Sequence, residues 1–497
     1  MSQPRLPGRP EARGRGQNAP ASSRMNPNES YRSPLGTRYA SVEMRAIWSS
    51  QRTYSTWRRL WLALAEAQCE LGLNISRGQV EELRAHLDDI DFDRAAEYEA
   101  RLHHDVMAHI HTLGDAAPKA RPIIHLGATS QFLNCNTELT QIRDGLRLIA
   151  GKLAALIDTL STFAARWRDL PTLGLTHLQP AQPTTVGKRA TLWANDLALA
   201  LEEIEHRLAT LRFRGVKGAT GTQASFLRLF DGDQEKVERL DELVCRKMGW
   251  PPDKRYVVTG QTYPRLVDAL VVGSLAVTAA AIAKCSIDLR LLASRNEVRE
   301  PTGPDQVGSS TMPHKRNPML CERATGLARF VMSLPANSLS TAASQWLERT
   351  LDDSANRRLV LPESFLALDA AVDVMRQVAG GLDLCPRTIA ANLNRELAFL
   401  AGENILMAAV SAGADRQEAH EILRRHSRAA AEQISTEGGP NDLLERLGEE
   451  PIFAGLDLAT FADPVASVGR APQQVELFIK QVAEPIRRRY ADELRKT

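Results

Sequence analysis

Residues 265–294 constrain the fold more than any other stretch. The run DALVVGSLAVTAAAIAK at 268–284 is apolar or small on every side, and a helix without a polar face is buried all round. At ~1.5 Å per residue, about thirty helical residues span roughly 45 Å. That is longer than one small core needs, so the pattern predicts a long bundle extended by other subunits.

Other segments carry the same period with a single apolar stripe. From Trp57 the positions Leu60, Trp61, Leu64 and Leu71 keep one face. Residues 144–168 repeat through Leu146, Ile149, Leu153, Leu156, Leu160, Phe163 and Trp167. Residues 193–212 repeat through Trp193, Leu197, Leu201, Ile204, Leu208 and Leu211. Alternating steps of three and four mark helices. Strand signals are few, and the glycine-rich FRGVKGATGTQASF at 213–226 reads as a structured connection. The expected fold class is mainly α.

A chain of 497 residues implies two or three domains. Turn-rich segments set soft boundaries near residues 129 and 384. The expected layout is a disordered tail over 1–30, rich in Pro, Arg, Gly and Ser, then a helical domain over 31–129. A long-helix domain over 130–384 and a C-terminal helical domain over 385–497 follow. The tail is Arg-rich but lacks the apolar stripe of a targeting presequence.

The net charge of +2 gives no overall field for nucleic acid or a membrane surface, so any preference for anions is local. Six scattered cysteines without a C-x-x-C pair suit a reducing compartment, which points to the cytoplasm. The longest uncharged helical stretch, from Asp268 to Lys284, is fifteen residues, short of the roughly twenty that a membrane span needs.

Polar and cationic groups concentrate beside Gly or Pro in four segments: HHDVMAH (103–109) with GATS (127–130), THLQPAQPTTVGKR (176–189), GSSTMPHKRNPM (308–319) with the helix start after it, and ERTLDDSANRR (348–358). Arg38-Tyr39 and TGQTYPR (259–265) are smaller candidates. His104, His109 and His111 are not spaced i,i+4, and no HExxH, GxSxG or GxxxxGK[ST] motif occurs. Acid–base chemistry without cofactor or metal remains.

Glycine and proline in 308–319 suit a lid that closes over an anion. Ser309 is a poor base unless nearby cations such as Lys315 favour its ionised form. His177 titrates near neutrality and can deliver a proton; a buried histidine bonded to backbone is the alternative. Arg323, Arg349 and Arg358 each suit a carboxylate or phosphate, or a surface ion pair. Asp352 and Asp353 read as groups that orient those arginines.

Taken together, these segments resemble the fumarase/aspartase superfamily, whose diagnostic loop is similar to SSTMPHKRNP. Within it the likeness is to the adenylosuccinate lyase family in its animal form, on YRSPL, FRGVKG and LDDSANRR. The resemblance covers all but the first thirty residues and the extreme C-terminus. It implies a mainly α, three-domain fold and a homotetramer whose long central helices form a shared bundle. Each active site would draw on three subunits. It also implies β-elimination of fumarate from two small-molecule substrates, adenylosuccinate (giving AMP) and SAICAR (giving AICAR), with no cofactor, nucleic acid or membrane partner.

Carried over by motif, Ser309 would be the general base and His177 the general acid. His104 would assist His177, and Lys315 would stabilise the carbanion. Arg38, Tyr39, His103, Asp105, Thr129, Ser130, Gln261, Arg323, Arg349, Ser354 and Arg358 match substrate-contacting positions. Two departures stand out: His103 where the family usually has Arg, and Cys135 where it usually has Asp. Argininosuccinate or malate as substrate, or a crystallin-like non-enzymatic role, are the competing readings; the presence of Ser309 and His177 speaks against the last.

Overall fold

The computed structural model describes residues 29–303, 305, 311–312 and 314–495. The expected tail, apart from Glu29 and Ser30, and Ser309 therefore lie outside the described residues. Ten helices carry the core and the site: α1 (Ser50–Glu70), α2 (Phe92–Leu102), α3 (Asp105–Ala116), α4 (Ser130–Arg166), α5 (Val186–Thr210), α6 (Gln234–Lys247), α7 (Leu266–Ser294), α8 (Met319–Ser333), α9 (Asp352–Gly380) and α10 (Arg416–Glu437).

The mainly helical expectation holds. In α4, 37 residues long and hence about 55 Å, Leu146, Ile149, Leu153, Leu156 and Leu160 are all buried. In α5, Trp193, Leu197, Leu201 and Ile204 are buried too. The central layer is α4 on α5, α7 on α8, and α8 on α9. Close approach between α4 and α9 depends on a missing side chain: a Cβ on Gly145 would lie 2.8 Å from Phe365 Cδ1. Lys152 on α4 donates to Asp369 (2.5 Å) and Asp373 (2.6 Å) on α9, so a paired buried cation ties the same two helices.

One core runs from Leu35 through the long helices to Ile486. A second, smaller one gathers Ala398, Ile405, Ala419, Leu443, Phe453 and Leu458 under α10. The chain end returns to the central layer, where Val475 and Ile486 join the large core.

Three features differ from the sequence reading. The first is a β-hairpin formed by β1 (Pro171–Thr176) and β2 (Gln179–Thr185), which the sparse strand signals of the sequence did not mark. Pro180 and Pro183 in β2 obscure the strand, since proline lacks the ladder donor. Second, α7 is not buried all round within one chain. Leu266 (55%), Leu270 (47%), Val277 (51%), Ile287 (43%) and Leu291 (40%) stay exposed and line one side at helical spacing. Third, α4 and α7 are long and apolar enough to cross a membrane by length and composition. The fifteen-residue count understated α7, because one lysine at position 284 interrupts it. More than half of each window is buried against other helices, as in the core helix of a globular chain.

Candidate active site

The start of α4 carries the first group of candidate residues. His125 (φ 70°) and Gly127 (φ 76°) both adopt the left-handed conformation, which turns the chain sharply into the helix. Only glycine fits at 127, since a Cβ there would stand 2.9 Å from Leu229 Cδ1. The turn leaves Thr129 as N-cap and Ser130 as the first helical residue. Thr129 makes no capping bond, and its buried Oγ1 has no partner among the described residues. An unpaired hydroxyl beside free N–H groups at a helix start suits an anionic group.

His125 was not singled out from the sequence, although it lies two residues before Gly127 of GATS. The Trp61 indole donates to its Nδ1 at 3.0 Å, so the ring proton sits on Nε2 when the ring is neutral. Burial, with His104 nearby, pushes its pKa down to about 4. It therefore stays neutral at physiological pH.

His103 closes α2 in the left-handed conformation (φ 50°), and His104 caps α3, accepting from the Met107 N–H at 3.3 Å. Those turns put both rings at the surface. Asp105 follows and accepts from Arg358 Nη2 at 2.8 Å, which joins the HDVMAH and LDDSANRR motifs. Ser354 and Arg358 lie four residues apart on α9 and share a face. Arg357 points the other way, into the core. A cavity of about 290 Å³ opens beside this pair, lined by Tyr54, Trp57, Glu99, Asp105, Glu138 and Arg358 among others. His109 is used otherwise: it stacks on Tyr54 with centroids 3.7 Å apart, and burial lowers its pKa to about 4.

Gln261 reaches Arg349 through backbone, its N–H donating to the Glu348 carbonyl at 3.1 Å. Asp353, wholly buried, accepts from Arg349 Nη1 (2.7 Å) and Arg265 Nε (2.6 Å). It orients arginines, as its place in the motif suggested. Among the described residues, Asp352 accepts only from the Thr350 hydroxyl at 2.9 Å. Behind them Arg357 bonds Asp268 (2.6 Å), Glu138 (2.7 Å) and the Tyr263 hydroxyl. Sequence reasoning passed over Arg265, Tyr263, Asp268 and Arg357, although the first two lie in the flagged TGQTYPR and the last in the flagged ERTLDDSANRR.

A third group forms on the turn before α1. The Arg323 guanidinium sits 5.9 Å from the Tyr39 ring centroid, and so does that of Arg38. Their position is fixed by the Ser41 N–H, which donates to Asp369 at 2.7 Å.

Two predicted residues stand apart. His177 and Leu178 (φ 55° and 58°) form the two-residue tip of the β1–β2 hairpin, the geometry of a type I′ turn. The His177 ring is exposed, so the buried-histidine alternative does not apply. No hydrogen bond or ion pair joins it to the groups above among the described residues. Lys315 is likewise exposed, with its backbone N–H bonded to the Met312 carbonyl at 3.0 Å.

The long-helix core, with arginines gathered at helix starts, belongs to a lyase by the families that it matches. A family model described as "Lyase" matches residues 47–333, and one described as "Adenylosuccinate lyase C-terminus" matches residues 398–478. The adenylosuccinate lyase of Schistosoma mansoni is 48% identical over 472 residues, covering 94% of this chain and 98% of the relative. That of Saccharomyces cerevisiae is 48% identical, covering 91% and 95%. The fold is similar to that of 3-carboxy-cis,cis-muconate lactonizing enzyme from Pseudomonas putida, with a TM-score of 0.79, 24% identity, and 92% and 99% of the two chains covered. The chain belongs to the adenylosuccinate lyase family, in the fumarase/aspartase superfamily.

Proposed function

We propose that this chain eliminates fumarate from adenylosuccinate, giving AMP, and from SAICAR, giving AICAR. The observation that carries the reading is that ion pairs join or anchor separate motifs: Arg358 on Asp105, and Arg349 on Asp353 beside Gln261. A substrate with two carboxylates and a phosphate needs several fixed cations, and guanidinium forks match both groups. Thr129 and Ser130, with the free N–H groups of α4, hold one carboxylate. Arg349, Ser354, Arg358, Arg38, Tyr39 and Arg323 hold the remaining anionic groups. His103, Asp105 and Gln261 contact the nucleotide.

Ser309 takes the proton from the succinyl β-carbon, and His177 gives one to the departing nitrogen. His104 assists His177, and Lys315 meets the charge that develops on the carbanion's carboxylate. The exposed His177 at a hairpin tip supports a site completed by other subunits, since it lies apart from its own chain's arginines. The bare apolar row on α7 supports a homotetramer in which long helices bury such rows against one another. Six free thiols fit a cytoplasmic enzyme. In our reading the chain has three parts with boundaries near 129 and 384, and the site lies where the N-terminal helices meet the long ones, which the Asp105–Arg358 pair supports.

The test is turnover of adenylosuccinate by purified protein without added metal, read as a fall in ultraviolet absorbance. Absence of turnover, or activity only with argininosuccinate or malate, overturns the reading.

A further inference from the structure

The segment THLQPAQPTTVGKR ends in an arginine to which the proposed function gives no part. Arg189 lies in the first turn of α5, and its side chain is only 15% exposed. Buried Glu297 stands 4.0 Å away, with its Oε1 already taken by Arg295 Nε at 2.9 Å and Asn392 Nδ2 at 3.0 Å. Arg189 spends its hydrogen bonds on β1 instead. Nη2 donates to the Leu173 carbonyl at 2.6 Å, and Nη1 to the Thr172 hydroxyl at 3.4 Å.

The register explains why that carbonyl is open to it. The Val186 N–H donates to the Leu170 carbonyl at 2.9 Å, and two steps further on Thr172 pairs with Thr184, then Leu173 with Pro183. Bonded and non-bonded pairs alternate along an antiparallel ladder. Thr172 and Thr184 therefore exchange the ladder bonds, and Leu173 turns its carbonyl to the outer edge. Among the described residues the sheet has two strands, so no third strand takes that carbonyl. The Arg189 fork does.

A two-stranded hairpin is marginally stable by itself. Its apolar face is held where Leu173 and Leu175 pack with Leu393 and Leu397. Its edge is held by Arg189. Between the Leu173–Pro183 and Leu175–Pro180 pairs β2 carries one residue more than β1, a bulge that bends and twists the ribbon. His177 follows at the tip, four residues or about 13 Å beyond Leu173, so a small tilt at the base is magnified at the ring.

We propose that Arg189 is a positioning residue for His177: its guanidinium grips the outer edge of β1 and fixes the direction in which the hairpin presents the imidazole. That the imidazole is the acid rests on the proposed function; the grip on β1 does not.

Arg189→Met removes the donors and keeps an unbranched side chain of similar length. In the native full-length protein, amide exchange read by mass spectrometry should be faster in the variant over residues 171–185 and unchanged over 144–168. Equal exchange over 171–185 overturns the grip, without reference to turnover. With adenylosuccinate, kcat should fall about 10- to 100-fold while KM stays within about twofold, because Arg349 and Arg358 are untouched. Exchanging subunits with Ser309→Ala should restore part of the turnover, and exchanging them with His177→Ala should not. A wild-type kcat, a loss carried by KM, or equal recovery with both partners overturns the link to His177. If the methionine variant does not fold, Arg189→Lys, which keeps the charge but not the fork, carries the same readouts.

Discussion

Replacing Asp353 by Asn tests the arginine scaffold directly. The carboxylate is wholly buried between Arg265 and Arg349, at 2.6 and 2.7 Å. Asn keeps the shape but removes the charge, and its NH₂ must face one of two guanidinium donors. Breaking a buried ion pair by removing one partner costs about 3–5 kcal/mol. Two cations lose their partner here, so the upper half of that range applies, roughly three decades in the folding equilibrium. Arg349 also loses its anchor at a position proposed to face the substrate. A displacement of the order of 1 Å there lowers turnover about 100-fold. The assay is paired: denaturant unfolding followed by far-ultraviolet circular dichroism, and steady-state turnover of adenylosuccinate. Asp352→Asn is the control, because its exposed carboxylate accepts only from Thr350 and should change stability by less than about 0.5 kcal/mol. If Asp353→Asn unfolds within about 1 kcal/mol of the wild type and keeps its kcat/KM, the buried charge does not organise the site.

Acid should weaken the fold through His109 and His125, both with pKa values near 4 in the folded chain. The unfolded chain binds their protons below about 6.5, so stability is full above that value and falls as pH drops towards 4, by at most about 3 kcal/mol for each ring. His109→Gln should flatten the dependence in that window; an unchanged slope removes His109 as a cause. Val277→Asp puts a charge in the apolar row of α7 and should lower both the sedimenting mass and the activity, while a wild-type mass would exclude that row from assembly. Ser309→Ala and His177→Ala should each be inactive, yet regain part of the turnover when their subunits are exchanged. No recovery after verified exchange argues against sites shared between chains.

The long helices were legible because their stripes depend only on the chain's own period: Leu146 to Leu160 and Trp193 to Ile204 are buried as the spacing requires. The β1–β2 hairpin was not, because Pro180 and Pro183 speak against a strand and nothing local shows that their missing donors fall where no ladder bond is needed. The exposed row on α7 escaped for another reason: an all-round apolar sequence cannot say which side meets its own chain. Asp353 was legible because it sits among the arginines it orients. Arg265 and Asp268 were not, since their partners lie at separations that no local pattern encodes. His125 could have been found from its place next to the Gly127 turn.

The bare row on α7 has a consequence for the life of a newly made chain. In a single chain Leu266, Leu270, Val277, Ile287 and Leu291 face water along one edge, where they can stick to any oily surface. Under the proposed homotetramer, dilution should lower activity by separating the subunits, and a higher concentration of the chain should protect it. A cell that makes too little of it, or makes it where holdase chaperones are scarce, loses more of it than the shortfall in synthesis alone would remove.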